Sequence, residues 1–310
     1  MAEAPKQVWH PRHNPWLITV SVMMAVFMEV LDTSIANIAL PHIAGNLSAT
    51  TDEATWVLTS YLVSNAIILP MTGWLGNYFG RKRVLISCIV MFTVASALCG
   101  LAWSLPSLIV ARILQGAGGG ATVPIAQAIM LESFPPQKRG QAMAVFAMGV
   151  VVAPILGPTV GGWITDNYSW RWVFYINVPV GLAALGACYA LLRDPDYLTR
   201  QREELNRQPL RFDSLGLALL VIVMVSWEVM LSKGQEWDWL SDPFWRVQTL
   251  AILFTAGLAG LIVWELRSPR PVINFRPLRE RNSWWKISMG TDFRIYARSP
   301  TVNIFTLPGI

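Results

Sequence analysis

The chain has 310 residues, 54% of them hydrophobic and only 14% charged, with a net charge of +5. Soluble domains carry about 25% charged residues, so too little charge remains to cover a globular surface, and an ordinary soluble enzyme is excluded. The positive balance would suit nucleic acid, but the basic residues punctuate apolar runs, a topology signal, which excludes that partner.

Eight apolar segments follow in chain order: 16–40, 54–75, 84–104, 106–130, 141–164, 172–192, 214–232 and 247–266. Each is close to the roughly 20 residues that cross about 30 Å of hydrocarbon. In lipid such a segment must be helical, because its backbone has no water to pair with. The expected fold is therefore an all-α polytopic membrane protein.

The first span is too long for a cleaved signal peptide and lacks a small-residue cleavage site. It contains Glu29 and Asp32, which are three apart and share one helix face. At about 1.5 Å per residue, Asp32 is expected about 9 Å below the outer end of this span. Between the second and third spans, Gly73-Trp74-Leu75-Gly76-Asn77-Tyr78-Phe79-Gly80-Arg81-Lys82-Arg83 reads as a tight loop with a basic cluster. A gating role and a bare topology signal are both open for it.

The fourth span carries Arg112, entering from the outside to about the depth of Asp32. A charge near the bilayer centre costs about 2.5–3.5 kcal/mol, so such residues face a water-filled path or pair with each other. A carboxylate whose proton affinity is set by burial and an arginine partner can take up and release a proton, which a proton-coupled carrier requires. A static ion pair locking two helices is the alternative. The following Gln115-Gly116-Ala117-Gly118-Gly119-Gly120-Ala121 loosely matches a dinucleotide fingerprint. No strand precedes it, and its small residues suit close helix packing in lipid. The fifth span concentrates Pro154, Gly157, Pro158, Gly161 and Gly162 within Ala153–Gly162. Its prolines delete backbone hydrogen bonds, and its glycines allow close approach, a pattern expected of a working hinge or seal, with a plain kink as the alternative. Glu228, near the outer end of the seventh span, reads as a snorkelling side chain.

With the N-terminus inside, 20 of the 24 basic residues fall in inner segments. Only Arg171, Lys233 and Arg246 fall outside, and Arg112 lies within a span. This asymmetry orients the chain, with both termini cytoplasmic. Trp103, Trp163, Trp170, Trp172, Trp237 and Trp239 then gather at the outer interface, where indole rings favour the headgroup level. Cys88, Cys99 and Cys188 lie within apolar runs, and neither they nor the three histidines form a metal-binding pattern.

Together these segments resemble the major facilitator superfamily, and within it the 14-span drug:proton antiporters of the EmrB/QacA type. Leu31-Asp32-Thr33-Ser34-Ile35-Ala36-Asn37-Ile38-Ala39-Leu40-Pro41 is similar to that group's first-span signature. Gly73–Arg83 resembles the superfamily's loop motif, with Asn77 where an aspartate is usual. Arg112-Ile113-Leu114-Gln115-Gly116 resembles the fourth-span motif linked to proton coupling, and Gly157-Pro158-x-x-Gly161-Gly162 the fifth-span antiporter motif. Trp170–Gly181 is similar to a stretch typical of the subfamily.

The resemblance implies a transporter rather than an enzyme. It implies proton-coupled export of amphipathic compounds across the bacterial inner membrane by alternating access, with six-helix halves built from 3+3 inverted repeats. Asp32 would titrate, Arg112 would tune it, and Glu29 would be the next proton-coupling candidate. Gly73, Asn77, Gly80, Arg81 and Lys82 would brace the inner gate, while Pro154, Gly157, Pro158, Gly161 and Gly162 would seal one side. The energy source would be the proton gradient, with no cofactor. A periplasmic adaptor protein and an outer-membrane channel are implied partners beside the lipid bilayer.

The expected organisation is a cytoplasmic N-terminus (1–15), a six-span bundle (16–192) and a basic linker (193–213). Two added spans (214–266) and a cytoplasmic tail (267–310) complete it, the tail departing from the family after about residue 282. Residues 283–310 lack a membrane-length apolar run, and the chain reads as truncated or changed in frame there. The rival function is accordingly a non-transporting membrane protein, or a modulator derived from such an exporter.

Overall fold

The computed structural model describes residues 11–195, 198–199 and 213–268. The expectations for residues 1–10 of the N-terminus, for most of the linker and for residues 269–310 lie outside these. Among the described residues, eight helical segments are long and apolar enough to cross a membrane: Pro15–Asn46, Thr51–Phe79, Arg81–Leu101, Leu105–Ser133, Pro136–Asn167, Trp172–Leu191, Ser214–Lys233 and Arg246–Arg267. No strand occurs among the described residues, and the fold is all-α and polytopic.

Local chemistry explains several ends. Asn14 caps the first span by accepting from the Trp16 N–H (3.0 Å), with Pro15 in the first turn where its missing N–H is harmless. Thr50 and Glu53 form a capping box on the short helix Thr51–Ala54. The chain steps at Thr55 before the main helix of span two begins at Trp56.

Two expectations are corrected. The first span does not end near residue 40 but runs through Pro41 to Asn46. Proline removes one backbone bond, yet Ala39, Leu40, Ile43 and Ala44 pack into an apolar cluster with Val57, Leu108 and Phe174, which holds the helix together beyond it. Asp32 therefore lies near the middle of the span, about 21 Å along the axis from Asn46 at about 1.5 Å per residue. The loop expected over 73–83 contracts to one residue. Gly73–Phe79 are the last turns of span two, Arg81 opens span three, and Gly80 alone connects them at φ 90°. That backbone region favours glycine.

Spans one to six form a bundle. Span one packs on five, six and four; span four packs on two, three and one; and spans three and six pack on each other. Exchanging one with four, two with five and three with six maps these contacts onto themselves, which is the arrangement of a 3+3 repeat. Two apolar clusters fill the bundle at different heights. One contains Ile18, Val22, Ala25 and Val26 of span one with Ile129 and Met130 of span four and Phe134 just beyond its end. The other contains Ile35, Ala39 and Ile43 with Leu108 and Ala111. Glu29 and Asp32 fall between them. Spans seven and eight pair with each other and dock on span two, where Leu220, Val223 and Leu261 meet Met71.

Of the tryptophans expected at the outer interface, Trp103 is 81% exposed, and Trp163, Trp172 and Trp239 are also open. Trp170 is instead buried at 2% exposure. It sits edge-on to Phe174 and beneath the Arg171 guanidinium, 4.5 Å from its ring, because Arg171 turns inward to donate to the Gly100 and Ala102 carbonyls.

Candidate functional site

Asp32 and Arg112 are both fully buried and in direct contact. Arg112 Nη1 donates to Asp32 Oδ2 (2.6 Å) and to Gln115 Oε1 (2.7 Å), and Nε donates to the Val57 carbonyl of span two (3.1 Å). The guanidinium lies over the Tyr61 ring, 4.3 Å from its centroid, and 5.6 Å from that of Phe174. Aromatic faces attract such a cation when water is absent.

The other carboxylate oxygen is equally engaged. Asp32 Oδ1 accepts from Gln115 Nε2 (2.9 Å) and from Asn177 Nδ2 of span six (2.6 Å). Both amides also donate to Ser96 Oγ of span three, at 3.2 and 3.0 Å, and the Ser96 hydroxyl donates to the Phe174 carbonyl (2.9 Å). The Cys99 thiol donates to Gln115 Oε1 at 3.5 Å. The Asp32–Arg112 pair and the amides on it thus gather groups from spans one, two, three, four and six. A buried charge is tolerable only with such pairing and hydrogen bonding, and any change of its charge is felt by every span that contributes a donor.

Sequence reasoning brought Asp32 and Arg112 to one depth but missed Gln115, Ser96 and Asn177. Gln115 lies three residues from Arg112, hence on the same face. Asn177 is the one amide in the apolar stretch Trp172–Leu191. Glu29 is buried but does not join Arg112. Its Oε1 accepts from Asn65 Nδ2 of span two (3.1 Å), and it has no salt-bridge partner among the described residues.

The fifth-span motif lies along span one. The Ser34 hydroxyl donates to the Pro154 carbonyl (3.2 Å). A Cβ on Gly157 would lie 2.1 Å from Ser34 Oγ, and one on Gly161 3.1 Å from an Ile35 methyl, so these glycines bring the backbones together. Gly162 faces open space. The helix Arg139–Asn167 runs unbroken through Pro154 and Pro158.

At the other end of the bundle, Arg81 forms an ion pair with Glu132 at the close of span four. The Lys82 backbone N–H donates to Asp194 Oδ1 (2.8 Å), and its Nζ donates to the Tyr189 carbonyl (2.8 Å), 5.1 Å from that ring's centroid. The one-residue turn at Gly80 therefore ties spans two and three to the ends of four and six. Gly73 and Asn77 are exposed on span two, and no side-chain hydrogen bond of Asn77 appears among the described residues.

A six-helix bundle closed around a buried charge cluster, with a further pair of spans docked on span two, defines a multi-pass membrane transporter fold. The chain belongs to the Major Facilitator Superfamily, whose sequence profile it matches over residues 22–300. It is 42% identical over 266 residues to the multidrug export protein EmrB of Haemophilus influenzae, covering 86% of this chain and 50% of that protein. It is 40% identical over 286 residues to the fatty acid resistance protein FarB of Neisseria gonorrhoeae, covering 92% and 54%. The chain thus spans about half the length of the curated relatives it matches.

Among solved structures it is similar to an auto-inhibited POT family peptide transporter, with TM-score 0.55, 17% identity, and 80% and 53% of the two chains covered. It is also similar to the proton:xylose symporter XylE, with TM-score 0.54, 16% identity, and 79% and 54% covered. These two likenesses show the fold. Fold and family together make the chain a multi-pass inner-membrane protein.

Proposed function

We propose that this chain carries the proton-coupling part of a drug:proton antiporter, which exports amphipathic compounds across the cytoplasmic membrane by alternating access. The observation that carries the reading is the contact of Asp32 with Arg112, with Gln115 and Asn177 donating to the carboxylate and Val57 and Gln115 accepting from the guanidinium. Asp32 is the proton site, Arg112 its charge partner, and Glu29 a second carboxyl beside it. The proton gradient is the energy source and no cofactor is involved. The relatives named for multidrug export support the substrate class.

In this reading both termini are cytoplasmic, as the inner-segment excess of basic residues supports. Residues 16–192 are the transporting bundle, 193–213 a basic linker, 214–266 an added pair and 267–310 the tail. Arg81 and Lys82 brace the inner gate with Gly73, Asn77 and Gly80. Gly157 and Gly161, with Pro154, Pro158 and Gly162, form the seal against span one. A periplasmic adaptor and an outer-membrane channel complete the export route.

The test is reconstitution of the 310-residue chain in proteoliposomes under an imposed proton gradient, following a fluorescent lipophilic cation. Gradient-driven movement that disappears in Asp32→Asn is expected. Absence of such movement with the wild-type chain overturns transport by this chain and favours the non-transporting reading. Movement that stays coupled in Asp32→Asn moves the proton site to Glu29.

A further inference from the structure

The three donors on the Asp32 carboxylate raise a question of valence. As a carboxylate it only accepts, and Arg112, Gln115 and Asn177 all donate to it. Once protonated it carries an O–H, which needs an acceptor in a place where every neighbour presents N–H. Leaving that O–H unmet in a dry interior is costly. Oδ2 is held by the guanidinium at 2.6 Å and stays an acceptor, so the proton belongs on Oδ1, between the two amides.

An amide can turn over and present its carbonyl instead of its NH2. Gln115 is not free to do so. Its Oε1 receives Arg112 Nη1 and the Cys99 thiol, and a turn would set its NH2 against a guanidinium N–H. Ser96 receives both amides and spends its hydroxyl proton on the Phe174 carbonyl. Asn177 donates to Asp32 and Ser96, and no group among the described residues donates to its Oδ1.

We propose that Asn177 is a positioning residue that reads the protonation state of Asp32: its side-chain amide turns over when Oδ1 takes a proton, accepting from the new O–H. The turn withdraws its N–H from Ser96, so span six changes its hold on both span one and span three. The proton adds to Oδ1 and no other covalent bond changes. The other titratable groups facing this cluster are Glu29 on span one, Tyr61 on two, Cys99 on three and Arg112 on four. Span five has ionisable side chains only at its ends, Lys138, Arg139 and Asp166, and on span six Tyr175 lies against Gly100, Cys188 against Ser21 and Tyr189 against Lys82 instead.

The inference rests on Asp32 being the proton site, and the test separates the two. The full chain is placed in phosphatidylethanolamine–phosphatidylglycerol bilayers with asparagine 13C-labelled at the side-chain carbonyl. Infrared difference spectra are then collected as the pH is lowered. The expected result is a carboxylic-acid band that Asp32→Asn removes, with a labelled amide band shifting at the same midpoint. Asn177→Leu should abolish the amide shift, and Asn177→Thr, whose hydroxyl can both donate and accept, should preserve the Asp32 titration.

Asn177→Leu removes the donor to the charged form and the acceptor for the neutral form together, so Asp32's proton affinity should move less than about threefold. A fixed donor to a charge is worth about 1.5–3 kcal/mol, and its loss would change that affinity by about tenfold or more. A silent amide band through the Asp32 titration, or a tenfold change in Asn177→Leu, overturns this inference alone. An Asp32 that never titrates overturns the proton-site reading and this inference with it.

Discussion

Among the described residues, the bundle and the added pair each bury one cation completely, and the two are held in different ways. Arg112 sits mid-bundle against a carboxylate from another span, with amides and a hydroxyl that themselves interlock. Lys233, 1% exposed at the end of span seven, donates to the Asp52 carbonyl (2.8 Å), to the Thr55 hydroxyl and to Glu236 Oε2 (2.6 Å), 5.3 Å from the Trp56 ring centroid. Its three donors are filled, two of them by neutral groups at the step between the two helices of span two. The first arrangement makes helix contacts depend on a group that can change charge. The second pins span seven to span two whatever its neighbours do.

Removing each cation therefore tests the contrast, with the largest effect at Arg112. Arg112→Ala leaves Asp32 buried without its counter-charge, and breaking a buried pair costs about 3–5 kcal/mol. Thermal unfolding in detergent should show that loss for Arg112→Ala and a much smaller one for Asp32→Asn/Arg112→Met, where both charges go together. Equal losses would mean that the pair has no special weight.

Next in size is the seam between spans one and five. In Gly157→Ala the new methyl would overlap Ser34 Oγ and Cβ, at 2.1 and 2.4 Å, forcing the helices apart. Overpacking of this kind costs about 1–3 kcal/mol. Ser34→Gly in the same chain should recover most of it, and a double-mutant cycle on melting temperature measures the coupling.

Lys233→Met should cost less, about 1 kcal/mol, because the Asp52 carbonyl and Thr55 hydroxyl lie at a helix end and lose one hydrogen bond each. The informative readout is local. Cross-linking between cysteines introduced at Ser232 and Asp52 should fall, while a pair within spans one and five is unchanged. An unaltered cross-link would show that the apolar contacts around Met71 and Leu220 hold the pair by themselves.

These three sites differ in how far the sequence disclosed them. The spans are legible because lipid imposes one solution on any long apolar run. Their ends are less so, as Pro41 shows: whether a helix survives a proline depends on what its next turn packs against. Asp32 and Arg112 stand out because charge inside hydrocarbon is rare. Asn177 and Gln115 do not, since an amide in an apolar run has no period or charge to mark it, and its partners are set by tertiary contact. Lys233 stands in the sequence only as one of three basic residues on the outer side, and nothing in its neighbours shows that it is buried. The basic run after Gly80 is visible as charge, but its role as a tie became apparent only when the loop closed to a single residue.

The smallest effect belongs to the turn between spans seven and eight. Asp242 accepts from the Phe244 N–H (3.1 Å), the Arg246 N–H (2.7 Å), Arg246 Nε (3.1 Å) and Arg246 Nη2 (3.0 Å). The Arg246 side chain first, then these backbone donors, hold its carboxyl down at about 2, below the ordinary 3.8. A group depressed in this way stabilises the turn above its unfolded value and loses that contribution as the pH falls through the folded one. The turn should therefore be fully formed above about pH 4 and open with a midpoint near 2. Arg246 stacks over Trp237 and Phe244, 4.6 and 5.1 Å from the ring centroids, so the part of the tryptophan emission that Trp237→Phe removes reports the opening. Asp242→Asn should give the open signal at neutral pH and a flat acid profile, while a wild-type midpoint near 3.8 would show that Arg246 does not hold the carboxylate.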